Sequence, residues 1–145
     1  MSEAKFKKQV QAGFVAYSNH YDVPLHWQLH EDSDSVGIPD VSYGILKKNG
    51  WIEAKWDARL PSPGGKYNPH FEAYQEAWLV ARGQAGAGCH LVHGFSDGHL
   101  IMSYEGLMRR RPGMTMMDVA DLPGTALIHD KFDKDSVHIL LHGMA

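Results

Sequence analysis

The sequence has almost no cysteine. Cys89 stands alone among 145 residues, which excludes an internal disulfide and a cysteine-rich zinc site and suits a reducing compartment. Long apolar runs are also missing, and the first ten residues, MSEAKFKKQV, hold no apolar signal core. A soluble, intracellular protein is therefore expected. No single sign of charge dominates: at a net charge of −3 the surface as a whole does not attract a phosphate backbone, so any such partner has to meet a local basic patch. The ten histidines are scattered, with neither an HExxH pattern nor finger-type Cys/His spacing. Three of the seven prolines fall between residues 57 and 69.

What is present fits a single globular domain over residues 1–145. A hydrophobic fraction of 43% with 21% charged residues can build a core at this length, and no repeat, low-complexity segment or interdomain linker interrupts it. Residues 3–17 set Phe6, Val10, Phe14 and Tyr17 at helical spacing, with Ser2 as N-cap. Glu3, in the first turn of that helix, either faces water where the macrodipole favours it or turns toward a site. Residues 25–30 alternate Leu25, Trp27 and Leu29 with polar residues, as a one-faced strand does. An acidic loop follows at 31–36, where Asp32 and Asp34 are either solvated or additional metal oxygens.

The central stretch is GIPDVSYGILKKNGWIEAK, residues 37–55. With a side-chain period of two, Glu53 and Lys55 share one face of a strand while Ile52, Ala54 and Trp56 share the other. Val41, Tyr43 and Ile45 likewise alternate with Asp40, Ser42 and Gly44, so the hairpin is expected to bury one face and leave one open. An antiparallel register with an odd sum of residue numbers brings Asp40 to the face of Glu53 and Lys55. A flush turn at Asn49-Gly50 would instead put Asp40 opposite Arg59 and leave Glu53 roughly 20 Å along the ladder. The expectation is thus a longer connection or bulge that uses residues 46–50 as loop and sets Asp40 near Lys55.

Downstream, residues 57–69 read as a mobile loop in which Arg59 and Lys66 either face solvent or meet a polyanionic substrate. Asn68-Pro69 starts a helix running to about residue 83, with Phe71, Tyr74, Trp78 and Ala81 as its buried stripe and Gln75 and Arg82 on the flank, reaching the sheet edge. Two strands meet around Ser96-Asp97-Gly98, with ambiguous faces. Arg109, Arg110 and Arg111 precede Pro112-Gly113, Thr115 caps a short helix to about residue 121, and the tail fits either a strand or a short helix.

Two carboxylates and a lysine on one sheet face suit metal-assisted phosphodiester hydrolysis. Asp40 and Glu53 are hard ligands for Mg²⁺ or Mn²⁺, and the carbonyl of Ala54 adds a third oxygen. Such an ion activates a water, and Lys55 stabilises developing charge or orients that water.

Gly37-Ile38-Pro39-Asp40-Val41, Trp51-Ile52-Glu53-Ala54-Lys55 and Gln75-Glu76-Ala77-Trp78, with Gly83 or Gly86 following, resemble the PD-(D/E)XK nuclease superfamily, in particular its VRR-NUC and phage Holliday-junction-resolvase-like branch. The resemblance covers roughly residues 1–105. It implies an α/β, restriction-endonuclease-like core with a central mixed sheet flanked by helices. It further implies Asp40, Glu53 and Lys55 as metal and catalytic residues, Gln75 as accessory and Glu3 as the first-helix carboxylate. The activity implied is endonucleolytic cleavage of DNA, branched DNA included, by a homodimer; residues 106–145 form an extension. A noncatalytic binding module on the same fold is the alternative, and a plain surface ion-pair cluster of Asp, Glu and Lys is the other.

Overall fold

The computed structural model describes residues 1–30 and 37–143. The acidic loop with Asp32 and Asp34 lies outside the described residues. Six strands form one sheet in sequence order, β1 (Leu25–Leu29), β2 (Val41–Ile45), β3 (Lys48–Trp56), β4 (Gly88–Phe95), β5 (Gly98–Ser103) and β6 (Thr125–Ile128). All neighbours are antiparallel except β3 and β4. That parallel pair needs a crossover, and α2 (Gln75–Gln84) lies within it. The chain is therefore an α/β protein with a mixed sheet between helices, as expected.

The helices form two layers. On one face, α1 (Glu3–Tyr21) and α5 (Lys134–His142) pack Phe6, Val10, Phe14, Val137 and Leu140 against Val41, Tyr43, Ile52, Ala54 and Ile101. On the other, α2, α3 (Tyr104–Arg109) and α4 (Met116–Ala120) bring Leu79, Leu107 and Val119 onto Leu91, Leu100 and Met102. Burying a side chain such as Phe6 or Leu79 fully contributes roughly 2–3 kcal/mol, so both layers carry weight. Ser2 caps α1, its hydroxyl accepting from Lys5 N–H at 3.2 Å, and Thr115 caps α4 in a capping box. The tail is the helix α5, capped by Asp133. No helix among the described residues is long and apolar enough to cross a membrane.

Several expectations are corrected. The β2–β3 turn is two residues, but it is Leu46-Lys47, both in the left-handed region at φ 52° and 60°, and Asn49-Gly50 lies inside β3. Gly50 serves packing rather than turning: it pairs with Tyr43, and a Cβ there would come within 2.3 Å of the Tyr43 ring. β2 keeps the expected alternation of buried and half-buried residues, but β3 is central and covered on both sides, so Glu53 and Lys55 do not stand on an open face. The same two-sided burial explains why β4 shows no clear alternation, and β6 is an added strand without a sequence signal.

The helix expected from Asn68 starts at Gln75. The Asn68 side chain accepts from His70 N–H at 2.8 Å, forming an Asx turn, and His70 and Tyr74 take positive φ, which helices exclude. Its buried stripe is consequently Gln75, Leu79 and Gly83, whereas Tyr74 and Ala81 are exposed. Residues 57–69 are also tied down, with Tyr67 N–H bonded to Met114 O at 3.0 Å and Met116 N–H to Gly65 O at 2.8 Å.

Exchanging Leu46-Lys47 for Asn-Gly puts residues that tolerate positive φ at two left-handed positions of an exposed turn. Urea denaturation is expected to show a gain of about 1 kcal/mol. A loss would place the turn elsewhere.

Candidate active site

The site grows out of the hairpin register. Val41 pairs with Ile52, so the next residue back, Asp40, falls opposite Glu53. The odd parity holds, and the partner is Glu53 rather than Lys55 because the turn is tight and needs no bulge. β2 ends at Val41 while β3 runs on to Trp56, so the Ala54 amide has no backbone partner in β2. The Asp40 carboxylate fills that place, its Oδ2 accepting from Ala54 N–H at 3.3 Å. In an extended strand the N–H and C=O of one residue point the same way, which turns the Ala54 carbonyl to the Asp40 side.

Glu53 is 2% exposed, and each of its oxygens has a partner of its own. Gln75 Nε2 donates to Oε1 at 2.9 Å, and Lys55 Nζ stands 4.0 Å from Oε2. Burial pushes the Glu53 carboxyl up to about 10; the neighbouring Asp40 pushes the same way, Lys55 opposes them, and Glu3 adds a weaker upward push. Lys7 Nζ lies 3.4 Å from Asp40 Oδ1.

Asp40, Glu53, Ala54, Lys55 and Gln75 are thus together. Glu3 is exposed in the first turn of α1, near enough for its charge to reach Glu53. The surface ion-pair alternative does not hold, since Glu53 and Lys55 are buried. Arg59 and Lys66 line a separate cleft with Asp57 and His93. Arg82 is exposed, its guanidinium 5.9 Å above the Trp78 ring. Of the arginine run, Arg110 is spent on Glu76 at 2.6 Å, and Arg109 and Arg111 bond backbone carbonyls. Lys7 was not foreseen, although its place four residues after Glu3 on one helix face was a usable signal. Tyr67, Asp57, His70 and His93 were not foreseen either, and their spacing gives no cue.

Among the described residues no three His, Cys, Asp or Glu side chains gather to hold a metal. The available donors are two carboxyls and one carbonyl, all hard oxygens. That set fits Mg²⁺ or Mn²⁺, since Mg²⁺ usually keeps several waters and takes only one or two carboxylates. The mutual repulsion of Asp40 and Glu53 is what a cation would relieve.

Fold and site together define an α/β protein in which a buried glutamate and a half-buried aspartate face each other in a mixed sheet between helices. A solved structure to which the chain is similar is Archaeoglobus fulgidus Hjc, a Holliday junction resolvase from an archaeal hyperthermophile, at TM-score 0.47 and 14% identity, covering 78% of this chain and 98% of that one. No family model and no curated protein matches the sequence.

From pH 4.5 to about 10 the folded protein keeps the Glu53 proton that the unfolded chain gives up, so stability contributed by this group falls as pH rises through that window. Denaturation in chelator at pH 6 to 9 is expected to show Glu53→Gln more stable than wild type, with a flatter pH slope. A wild-type protein whose stability rises over the same range would refute this.

Proposed function

We propose that the chain is a Mg²⁺- or Mn²⁺-dependent endonuclease that hydrolyses DNA phosphodiester bonds. The carrying observation is the convergence of Asp40 and Glu53, opposite one another in the β2–β3 register, with Lys55 buried beside them. Asp40, Glu53 and the Ala54 carbonyl would hold the ion, which supplies Lewis-acid polarisation of the phosphate and a water of lowered pKa.

The chain's own residues do the remainder. Gln75 fixes Oε1 of Glu53, so the carboxylate keeps one orientation when its proton leaves. Lys55 projects from the same face and places a positive charge where negative charge develops on the phosphate oxygens, or orients the attacking water. The Ala54 amide anchors Asp40, and Lys7 shields its outer oxygen. Glu3 contributes field at the rim. Arg59, Lys66 and Arg82 are the proposed substrate contacts.

Burying an acid and a base together weakens the fold, and a module that only binds DNA has no use for that arrangement. The finer reading extends the motif resemblance: the VRR-NUC and resolvase-like branch, with its phage members, branched DNA as a favoured substrate, an intracellular setting and a homodimer. Dimerisation fits because one such site cuts one strand.

Asp40→Asn and Lys55→Ala are expected to lower metal-dependent single-turnover cleavage by at least about 10²-fold while leaving the thermal transition cooperative. The assay uses duplex, single-strand, flap and four-way-junction substrates with Mg²⁺ and Mn²⁺. Full activity in both variants would end the proposal, and no cutting of any substrate by wild type would favour the binding module. Sedimentation at assay concentration is expected to show a dimer; monomer alone removes that part.

A further inference from the structure

Beside the carboxyl pair lies a second polar assembly that the proposed chemistry does not use. β3 carries Glu53 and Lys55 on one face, and the same alternation continues to Asp57, whose N–H still follows the ladder to Gly94 O at 3.1 Å. Asp57 therefore stands about 7 Å beyond Lys55, at the floor of a cleft of about 450 Å³ lined by Arg59, Lys66, Tyr67, His70 and His93 among others.

The floor is a hydrogen-bonded relay. His93 is fully buried, with Nε2 at 2.7 Å from Asp57 Oδ2 and Nδ1 at 2.6 Å from Tyr67 Oη. A carboxylate can only accept, so Nε2 carries the proton and Nδ1 accepts from the tyrosine hydroxyl. Burial keeps this imidazole neutral, pushing it down to about 4 against the pull of Asp57. The exposed His70 meets the same Asp57 Oδ2 at 3.7 Å through its Nε2. Both histidines thus converge on one carboxylate oxygen.

The walls are fixed as well. Lys66 bridges to Thr115, and the residues flanking Arg59 are tied to the β4–β5 turn, with Ser96 N–H bonded to Ala58 O at 3.2 Å and Leu60 N–H to Asp97 Oδ1 at 3.4 Å. His70 holds a left-handed backbone at φ 55°, its N–H bonded to Asn68 at 2.8 Å, a strained placement of the kind found at binding sites. Two permanent cations and a histidine surround a single carboxylate already engaged by imidazole. The complement of such a cleft is an anion. A larger depression near Gln84 and Arg111 shares no residue with this one and lacks a buried relay.

We propose that this cleft holds a phosphodiester group flanking the scissile one, with Arg59, Lys66 and His70 contacting its oxygens and the Tyr67–His93–Asp57 relay fixing His70 in place. The proposal rests on the reading of the chain as a DNA-hydrolysing enzyme and names its neighbouring subsite.

The test measures equilibrium binding of fluorescein-labelled single-strand, duplex and four-way-junction DNA to the full chain in chelator, across a salt series, alongside cleavage with Mg²⁺ and Mn²⁺. Arg59→Ala and Lys66→Ala are each expected to weaken binding about 3- to 10-fold and to lower the slope of log Kd against log salt by about one, which lost packing alone would not do. His70→Asn, which keeps a residue tolerant of positive φ, is expected to weaken binding to a similar degree, on the order of 3-fold or more. Wild-type Kd and slope in all three variants overturn the subsite, as does a wild type that binds none of the DNAs. If wild type cuts DNA while the three variants bind as wild type does, the subsite falls alone. If binding weakens as expected but wild type cuts nothing, the cleft stands as a phosphodiester-binding site while the nuclease reading, and with it the scissile neighbour, falls.

Discussion

Everything at the candidate site depends on one contact, the approach of the half-buried Asp40 carboxyl to the buried Glu53 carboxyl across the β2–β3 register. Two acidic groups do not adopt that arrangement spontaneously; something must hold them there. Here it is the register of β2 against β3, set by a two-residue turn and kept from slipping because Val41, Tyr43, Ile45, Ile52 and Ala54 all enter the core beneath α1. A slip of one residue would expose that apolar set. The core thus enforces the repulsion, and Gln75, Lys55 and Lys7 each take up one of the oxygens it leaves.

Parity and residue type made the pair legible in the sequence, whereas register was not. The alternation around Asp40 and around Glu53 fixed which side chains share a face, since that follows from the period of two alone. The location of the turn followed a statistical signal, Asn-Gly, and the structure gives that glycine a different task, receiving the Tyr43 ring. Leu46 and Lys47 turn the chain in its place because the core on either side demands it. Similarly, α2 begins at Gln75 because Tyr74 adopts a left-handed conformation, a choice that residue type does not announce. The late start changes Gln75 from a flank residue into a buried ligand of Glu53.

The second assembly was illegible for another reason. Asp57, Tyr67 and His93 come from the end of β3, an irregular segment and β4, and only the parallel pairing of Lys55 with His93 brings them together. Neighbourhoods made by non-local pairing leave no periodic trace in a chain. They also make residues 57–69 a fixed wall despite three prolines and two glycines, since Tyr67 is held from both the sheet and the segment before α4.

The hairpin has a kinetic consequence. Asp40 and Ala54 are only fourteen residues apart, so the loop that joins the two carboxyls closes cheaply and early, whereas the parallel crossover carrying Gln75 and His93 is a slower, longer-range event. The two acids therefore meet, with Lys55 beside them, before Gln75 arrives. A proton on Glu53, or a cation between the pair, bears on how fast this chain folds and not only on how stable it becomes.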